Sequence, residues 1–359
     1  MHVKSEPLVS IIINNYNYDY FLKEAIDSAL NQTYPHMEVV VVDDGSTDRS
    51  RDIISRYDNR IIPVLKSNGG QSSSLNAGFS ICKGEIICLL DSDDVFSHDK
   101  AEKIVELFTQ NNLIDFPVIL HNMFTPIDKG GLLIGSDKIE NFISAQDFEW
   151  HLLSKIIGSK FSFFDGKIGK ICTPEQVFRF AYKYRYIPYI GMPTSSISIS
   201  RAMAEKVFPL PVDRNRFLSD HADTFLTKAA SLMGLVYSTN LALTQYRFHG
   251  NGWHTKEVTQ KKQELLSKLQ DDFLNSKLEE VGKEPVFCFL NSMQASGFYR
   301  LHFGKESGEH LLSLSFSVIK WHLDSITLSF FLETFGRAMY YKTWIFIYSI
   351  LLHYGRDKR

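Results

Sequence analysis

The stretch GEIICLLDSDDVF, residues 84–96, decides how the rest of the chain is interpreted. Its apolar first half, IICLL, follows a glycine and is typical of a short strand buried on both faces. Three carboxylates follow at the point where that strand would end. Side chains alternate along an extended chain, so Asp91 and Asp93 should point one way and Asp94 the other. Such a carboxylate pair suits Mg²⁺ or Mn²⁺, and an acidic turn before the next helix is the alternative.

Strand and helix patterns alternate over the first 110 residues. Strands are predicted at residues 8–13, 39–42 and 61–65, of which 39–42 should be buried, ahead of the strand in the acidic stretch, and helical patterns separate them. This order predicts an α/β fold with a mostly parallel sheet and right-handed crossovers. Ligands of such sheets bind at the carboxyl ends of the strands. The polar residues after the strands should therefore converge on one crevice: Asn14, Tyr16, Asp43, Asp44, Asn68 and the DSDD cluster.

Two later segments are also predicted to be strands. FPVILHNMF, residues 116–124, is mostly apolar, and TSSISIS, residues 194–200, alternates as a half-buried strand does. Ser200 then begins a helix. Earlier in the chain, Asp19 is predicted to cap the helix that follows the first strand.

The segment LSDHADTFLTKAASLMG, residues 218–234, carries a second group of acids. Asp220, His221 and Asp223 precede or begin a helix with an apolar face. Acids in a first helical turn also favour the positive end of the helix, which is a purely structural explanation.

A glycine-punctuated loop, QYRFHGNGWH, spans residues 245–254 after an apolar strand. Its polar side chains are Arg247, His249, Asn251 and His254. A histidine in such a loop is as often structural as functional.

Composition narrows the class of protein. Lys plus Arg number 39 and Asp plus Glu 41, a net charge of −2, which argues against nucleic acid as a partner. The content of 44% hydrophobic and 22% charged residues is that of a globular protein. The four cysteines show no C-x-x-C spacing and are interpreted as buried thiols in a reducing compartment. Only MHVKSEP precedes the first strand, so we expect no signal peptide and a cytoplasmic protein.

The last hundred residues have a different character. Residues 256–284 are charged and helical in pattern, and WIFIYSILLHY, residues 344–354, is the longest uncharged run. That run is shorter than the roughly 20 apolar residues of a membrane span. With Lys342 before it and basic residues after it, the run is compatible with a membrane interface, but a helical cap on the catalytic domain or a dimer contact is slightly favoured.

Several of these segments together resemble one known family. IIINNYNYDYFLKEAIDSALNQTYPHMEVVVVDDGSTDRS, SNGGQSSSLNAG and KGEIICLLDSDD are similar, in order and spacing, to the nucleotide-binding half of the inverting family 2 glycosyltransferases, which have the GT-A fold. The resemblance covers about residues 7–110. One departure is Asn14 and Asn15, which stand where the family usually has Pro-Thr or a similar pair.

The resemblance implies roles for the residues of the first half. Asn14, Tyr16 and Asp44 would contact the nucleotide base, with Asp44 on a uracil-type imide. Asp91 would lie near the ribose. Asp93 or Asp94 would hold the metal on the diphosphate.

The resemblance also implies roles further along the chain. The family carries its acceptor-activating carboxylate in the place of DHAD, usually as a Glu-Asp pair, so either Asp220 or Asp223 could hold this role. Relatives with an A-D-T-[FY]-L segment have their acid where Asp223 stands, which favours Asp223. His249 belongs to a segment similar to YR-x-HG-x-N in relatives, and it would reach the metal or the diphosphate.

We therefore expect a GT-A catalytic domain at residues 1–255, with a nucleotide-sugar half at 1–110 and an acceptor half at 111–255, followed by a helical extension at 256–359. Its expected activity is inverting transfer from a nucleotide-diphosphate sugar, favoured to be a UDP-sugar, to a hydroxyl of a glycan or lipid-linked acceptor, with Mn²⁺ or Mg²⁺. The expected location is the cytoplasm, and peripheral contact at the inner membrane face through the C-terminal segment is the alternative to a helical cap.

Two other functions are compatible with parts of the pattern. One is a metal-dependent phosphatase or nucleotidyltransferase, although an aspartyl nucleophile would be expected after the first strand, where NNYN stands. The other is a non-catalytic scaffold that binds nucleotide sugars. The intact acidic set together with DHAD argues against such a scaffold.

Overall fold

The computed structural model describes residues 6–135, 168–184, 187, 189–213, 220–249 and 260–287. The chain separates into two compact units, Met1–Ser292 and Met293–Arg359, and all of the described residues belong to the first.

The first 110 residues alternate strands and helices as the sequence predicts. The strands are β1 (Val9–Asn15), β2 (Met37–Asp43), β3 (Ile62–Leu65), β4 (Ile86–Asp91) and the short β5 (Val95–Phe96). The helices are α1 (Asp19–Leu30), α2 (Ser50–Ile54), α3 (Gln71–Ile81) and α4 (Lys100–Gln110). A 3₁₀ helix, Ser55–Arg60, continues α2.

The second part of the described chain adds four strands to the same sheet. These are β6 (Val118–Ile127), β7 (Gly169–Cys172), β8 (Ile197–Ser200) and β9 (Leu235–Arg247). The helices are α5 (Pro174–Tyr184), α6 (Arg201–Val207), α7 (Ala222–Met233) and α8 (Gln260–Glu280), with a 3₁₀ helix at Thr194–Ser196.

The strand order of the sheet is β3-β2-β1-β4-β8-β6-β9-β5, with β7 paired to β9. Strands β1 to β4 are parallel, β8 is antiparallel to β4 and β6, and β6 is parallel to β9. Six strands therefore point the same way, which confirms the predicted mostly parallel α/β sheet. Their carboxyl ends and the amino end of β8 meet at one edge of the sheet.

Apolar side chains cover both faces of the central strands. Ile12 and Leu89 belong to the core on one face, and Ile11, Ile13 and Leu90 belong to the core on the other. Burial on both faces explains why these strands are uninterrupted apolar runs in the sequence.

The predicted half-buried strand at residues 194–200 is wrong in two respects. Thr194–Ser196 forms a 3₁₀ turn, and all four residues of β8 are buried because it lies between β4 and β6. Its serines are satisfied inside the sheet: Ser200 Oγ donates to the Phe116 carbonyl at 2.6 Å and accepts from the Val118 amide at 3.0 Å. The prediction that Ser200 begins a helix is confirmed, since it caps α6 through the Met203 amide.

The predicted cap at Asp19 is also wrong. Tyr18 stands at the N-cap of α1 and its side chain makes no capping hydrogen bond; the Asp19 amide donates instead to Asp48 Oδ2 at 2.9 Å. The Asp19 carboxylate lies in the first turn and accepts from Arg49 Nε at 3.1 Å.

Helix α8 packs against α7. The rings of Phe225 and Phe273 meet edge to face at 5.8 Å, and Lys228 Nζ donates to Gln270 Oε1 at 3.0 Å. The predicted domain boundary after residue 255 stays a prediction.

Over the described residues, every helix is too short or too polar to cross a membrane. The aromatic run at residues 344–354 lies outside this part of the chain. Cys82, Cys88 and Cys172 are buried free thiols, as predicted, and Cys288 also lies outside the described residues.

Candidate active site

A cavity of about 350 Å³ opens at the edge where the parallel strands end. The structure brings most of the predicted site residues together in its wall: Asn14, Tyr16, Asp44, Asp91, Asp93, Asp220, Asp223 and His249. The strand register explains the first contacts, because Asn14 on β1 pairs with Asp91 on β4. Asn251 and His254 lie outside the described residues.

Asp44 and Asn68 form the part of the wall after β2 and β3. The Asp44 carboxylate accepts the Gly69 and Gly70 amides, at 2.9 Å and 2.7 Å, and an ion pair from Lys66. Asn68 Nδ2 donates to the Asp44 carbonyl at 2.8 Å. Asn68 thus holds the loop and does not itself line the described cavity. The Gly69 amide also lies 3.1 Å from Asp44 Oδ2, so all four acceptor sites of this carboxylate have a protein donor.

The side-chain amide of Asn14 uses its nitrogen in a hydrogen bond, whereas its oxygen has no hydrogen-bond partner among the described residues. Its side chain donates to Asp91, and its Oδ1 is buried. The neighbouring Asn15 also lines the cavity; its Nδ2 donates to Asp43 at 3.1 Å and to Ser46 at 3.2 Å, and its Oδ1 likewise has no hydrogen-bond partner among the described residues.

The three predicted acids form a compact cluster. Asp91, Asp93 and Asp94 each offer a carboxylate oxygen, and these oxygens all lie within 4.8 Å of one another. Burial, reinforced by the charge of Asp93, raises the pKa of Asp91 to about 7, although hydrogen bonds from Asn14 and Gln71 oppose the shift. Burial and the same charges raise the pKa of Asp94 well above its ordinary value. The cluster is therefore an electrostatically costly arrangement of negative charge.

Asp93 and Asp94 differ in their surroundings. Asp93 faces the cavity, and its Oδ2 lies 2.9 Å from His249 Nε2. Asp94 is buried beneath it; its Oδ1 accepts the Arg247 amide at 2.8 Å, and its Oδ2 has no hydrogen-bond partner in the described part of the chain.

These residues fit a divalent cation. Carboxylate oxygens are the ligands that Mg²⁺ and Mn²⁺ prefer, and an imidazole nitrogen also suits Mn²⁺. A bound cation would offset the repulsion that raises the two aspartate pKa values. It would also satisfy the unpartnered oxygen of Asp94.

The DHAD segment supplies the acids on the other side of the cavity. Asp223 lies in the first turn of α7, where its Oδ2 accepts from Tyr189 Oη at 3.3 Å and its Oδ1 from the Thr224 amide at 2.7 Å. Asp220 also lines the cavity, in the turn before α7. Burial lowers the pKa of His221 between them, although both acids oppose the shift, which favours neutral imidazole. Both candidate bases line the cavity that an acceptor would enter.

Sequence reasoning missed two tyrosines of the cavity wall. Burial, with the charges of the acidic cluster, raises the pKa of Tyr18 and of Tyr246, so both phenols stay protonated. The only sequence signal for them was their position: Tyr18 follows NYN, and Tyr246 belongs to the YR segment.

Gln71 and Thr194 were missed as well. Gln71 Nε2 donates to Asp91 Oδ1 at 2.9 Å and reaches Thr194 Oγ1 at 3.2 Å. Gln71 begins α3, and Thr194 comes from the second half of the chain. Their contact crosses the floor of the cavity and fixes the Asp91 carboxylate.

A fully buried lysine lies beneath the cluster. Lys100 Nζ donates to the Ser195 carbonyl at 2.6 Å and to Thr244 Oγ1 at 3.0 Å, and it lies 3.8 Å from the centre of the Phe96 ring. Burial lowers its pKa to about 7, against opposing charges that include Asp94.

Comparison with known sequences identifies relatives of this chain. The family described as Glycosyl transferase family 2 matches residues 10–164. An uncharacterised glycosyltransferase of Nostoc sp. is 31% identical over 279 residues, which cover 74% of this chain and 75% of that protein. The putative teichuronic acid biosynthesis glycosyltransferase TuaG of Bacillus subtilis is 37% identical over 111 residues, 30% of this chain and 44% of TuaG.

Comparison with solved structures supports the fold. TarS of S. aureus, residues 1–349 in complex with UDP, matches with a TM-score of 0.51 and 16% identity over 84% of this chain and 73% of that one. The same TarS fragment with UDP-GlcNAc matches with a TM-score of 0.50 and 15% identity, over 92% and 80%. These likenesses confirm the predicted GT-A type of fold.

Proposed function

This chain belongs to glycosyltransferase family 2, and from that premise we propose that it is an inverting, metal-assisted enzyme that moves a sugar from a UDP-sugar to a hydroxyl group. The observation that carries the proposal is the cavity itself. It holds the Asp91–Asp93 edge of the acidic cluster, His249, and the two acids of DHAD together, at the carboxyl ends of parallel strands.

The nucleotide would bind at the ends of β1 and β2. Asp44 lines the cavity, and its carboxylate would accept the single imide N–H of uracil in place of the longer, shared contact from the Gly69 amide at 3.1 Å. The open Oδ1 of Asn14 offers a further acceptor, and the Tyr16 ring offers a surface on which a base can stack. These features support uridine as the nucleoside.

Asp93 and Asp94, with His249, would hold the divalent cation. The bound cation would neutralise the charge that develops on the departing diphosphate. His249 is 2.9 Å from Asp93 Oδ2, so it would help to fix this carboxylate.

The transfer would be a single displacement with an aspartate as general base. The acceptor oxygen forms a bond to the anomeric carbon as the bond from that carbon to the diphosphate oxygen breaks, and the hydroxyl proton passes to the carboxylate. Attack on the face opposite the leaving group inverts the anomeric centre. Asp223 is favoured for the base, with Asp220 as the alternative.

The acceptor would be a glycan or a lipid-linked glycan in polysaccharide or glycoconjugate synthesis. We propose that the enzyme acts in the cytoplasm, with the C-terminal segment as a peripheral contact to the inner membrane face. Residues 344–354, which would make this contact, combine aromatic and aliphatic side chains, and basic residues flank them.

The experiment compares UDP-, GDP- and dTDP-sugars as stabilisers of the protein against heat, each with Mn²⁺. A donor at 100 times its dissociation constant should add about 2.7 kcal/mol of stability. Donors that stabilise are then tested for release of nucleoside diphosphate with and without Mn²⁺ and an acceptor extract. Stabilisation by GDP-sugars alone would overturn the choice of uridine, and release that is indifferent to Mn²⁺ would overturn metal assistance.

A further inference from the structure

Arg247, the last residue of β9, has its guanidinium inside the protein although it borders the cavity. Its side chain is 1% exposed, and its flat face packs over the Phe21 ring at 4.9 Å. Nη2 forms an ion pair with Glu24 Oε2 at 2.6 Å, and Nη1 donates to the carbonyls of Asp128 and Lys129, both at 3.2 Å.

The remaining contacts of Arg247 are with the acidic cluster. Its Nε donates to the Asp93 carbonyl at 2.7 Å, and its own amide donates to Asp94 Oδ1 at 2.8 Å. Two residues further on, His249 contacts the Asp93 carboxylate. One strand end therefore holds the backbone of Asp93 and the carboxylates of both Asp93 and Asp94.

An arginine at the edge of such a cavity would ordinarily be interpreted as a ligand of the donor diphosphate, because its fork of N–H groups matches phosphate oxygens. The geometry does not support that role for Arg247. Four of its five side-chain N–H groups already have protein acceptors, and three of these acceptors are backbone carbonyls that cannot move away independently.

We propose that Arg247 is a positioning residue that sets the geometry of the metal-binding acids and does not contact the diphosphate; this inference rests on the proposed metal-assisted transfer. Arg247 connects Asp93 to α1 through its ion pair with Glu24. It also connects Asp93 to the turn after β6, where Nη1 donates to two backbone carbonyls. Loss of this connection leaves both acids in the chain but changes the relative positions of their oxygens. Metal affinity should fall, whereas nucleotide binding without metal should not.

The two roles are distinguished by binding measurements that do not require turnover. The affinity for Mn²⁺ alone is measured by titration, and the affinity for UDP is measured in EDTA, for the wild type, Arg247→Gln and Arg247→Lys. We expect Mn²⁺ affinity to fall about 10- to 100-fold in both variants, since a single ammonium cannot replace the fork of donors. UDP affinity in EDTA should stay within about twofold.

Arg201→Gln is the matched control. Arg201 also donates to two backbone carbonyls, those of Gly84 and Cys82, at 2.8 Å and 2.9 Å, but it lies at the opposite edge of the sheet. This variant reports the effect of losing a similar arginine on stability, and its Mn²⁺ affinity should equal that of the wild type.

Each result decides the matter. Unchanged Mn²⁺ affinity in Arg247→Gln, or a matching loss of UDP affinity in EDTA, would overturn the positioning role. If Arg247→Gln does not fold, Glu24→Gln is tested instead. This change removes the charge of a half-exposed carboxylate that anchors the Arg247 guanidinium. The positioning role then requires a loss of Mn²⁺ affinity, smaller than the loss of about 10- to 100-fold expected for Arg247→Gln. Wild-type protein that binds no Mn²⁺ would instead overturn the proposed metal-assisted function.

Discussion

His249 Nε2 lies 2.9 Å from Asp93 Oδ2, although 156 positions separate the two residues along the chain. The imidazole is 3% exposed and packs against the rings of Tyr18 and Phe21, at 5.6 Å and 5.2 Å between ring centres. The residues after β4 and after β9 therefore form one unit, because both strands end at the same edge of the sheet.

The first prediction concerns Asp93. Asp93→Asn keeps the size of the side chain but removes the charge that a divalent cation requires, so it should abolish transfer and metal-dependent nucleotide binding. Circular dichroism and thermal unfolding should show an intact fold. The control is Asp52→Asn, an exposed carboxylate on α2. Full activity in Asp93→Asn, or undiminished wild-type activity in EDTA, would contradict the metal site.

The second prediction concerns His249. His249→Ala removes the group that orients the Asp93 carboxylate, and loss of such an orienting partner typically costs about 10- to 100-fold in metal affinity. Titration with Mn²⁺ measures this loss directly. His98→Ala, at an exposed histidine, should bind Mn²⁺ as the wild type does. An unaltered affinity in His249→Ala would mean that its contact with Asp93 is only structural.

Much of this arrangement was predictable because it follows from strand order. Parallel strands end at one edge, so the polar residues after β1, β2 and β4 had to converge. The predicted alternation of Asp91, Asp93 and Asp94 was wrong, because β4 ends at Asp91 and a turn follows in which the Asp94 amide donates to the Asp91 carbonyl at 3.1 Å, so all three acids cluster. The register that pairs Asn14 with Asp91 is the physical basis of that convergence.

Other residues were not predictable from local pattern. Gln71 reads as an ordinary helix residue, and Thr194 as part of a strand, because their contact depends on how the two halves of the chain pack. Lys100 reads as a surface lysine at the start of a helix, whereas it is fully buried. The serines of β8 alternate with apolar residues as they would in a strand with one face in solvent. They are nevertheless buried, because groups within the sheet satisfy their hydrogen bonds, as for Ser200.

The third prediction concerns Lys100 and pH. Its pKa is about 7 in the folded protein and 10.5 ordinarily, so between these values the unfolded chain holds a proton that the folded chain lacks. Stability should therefore rise with pH across this window, by at most about 1.4 kcal/mol per pH unit from this group. Lys100→Met should lose that part of the slope.

Urea unfolding at pH 7, 8 and 9 measures the slope. Lys100→Met should still fold, because Thr244 Oγ1 donates to the Ser195 carbonyl at 2.8 Å and accepts from Asn122 at 3.1 Å. Lys103→Met, at a partly exposed position of the same helix, is the control. Identical slopes for the wild type and Lys100→Met would mean that burial does not shift this lysine.

The fourth prediction concerns the C-terminal segment, which lies outside the described residues. If residues 344–354 lie in a membrane interface, the full chain should float with anionic liposomes, and a Trp344→Ser, Phe346→Ser double variant should float much less. Glycosyltransfer to a soluble acceptor should be equal in both proteins. Failure of the wild type to bind liposomes would favour the helical cap.

The fifth prediction concerns the general base. Asp220 and Asp223 both line the cavity, and Asp223 is held by Tyr189 and the Thr224 amide at the start of α7. A general base usually contributes about 10² to 10⁴ in rate, so Asp223→Asn should lower kcat by that factor with donor affinity nearly unchanged. Asp220→Asn should cost much less. Reversed losses would assign the base to Asp220, and losses below about tenfold in both variants would remove the base from this segment and contradict the displacement as proposed.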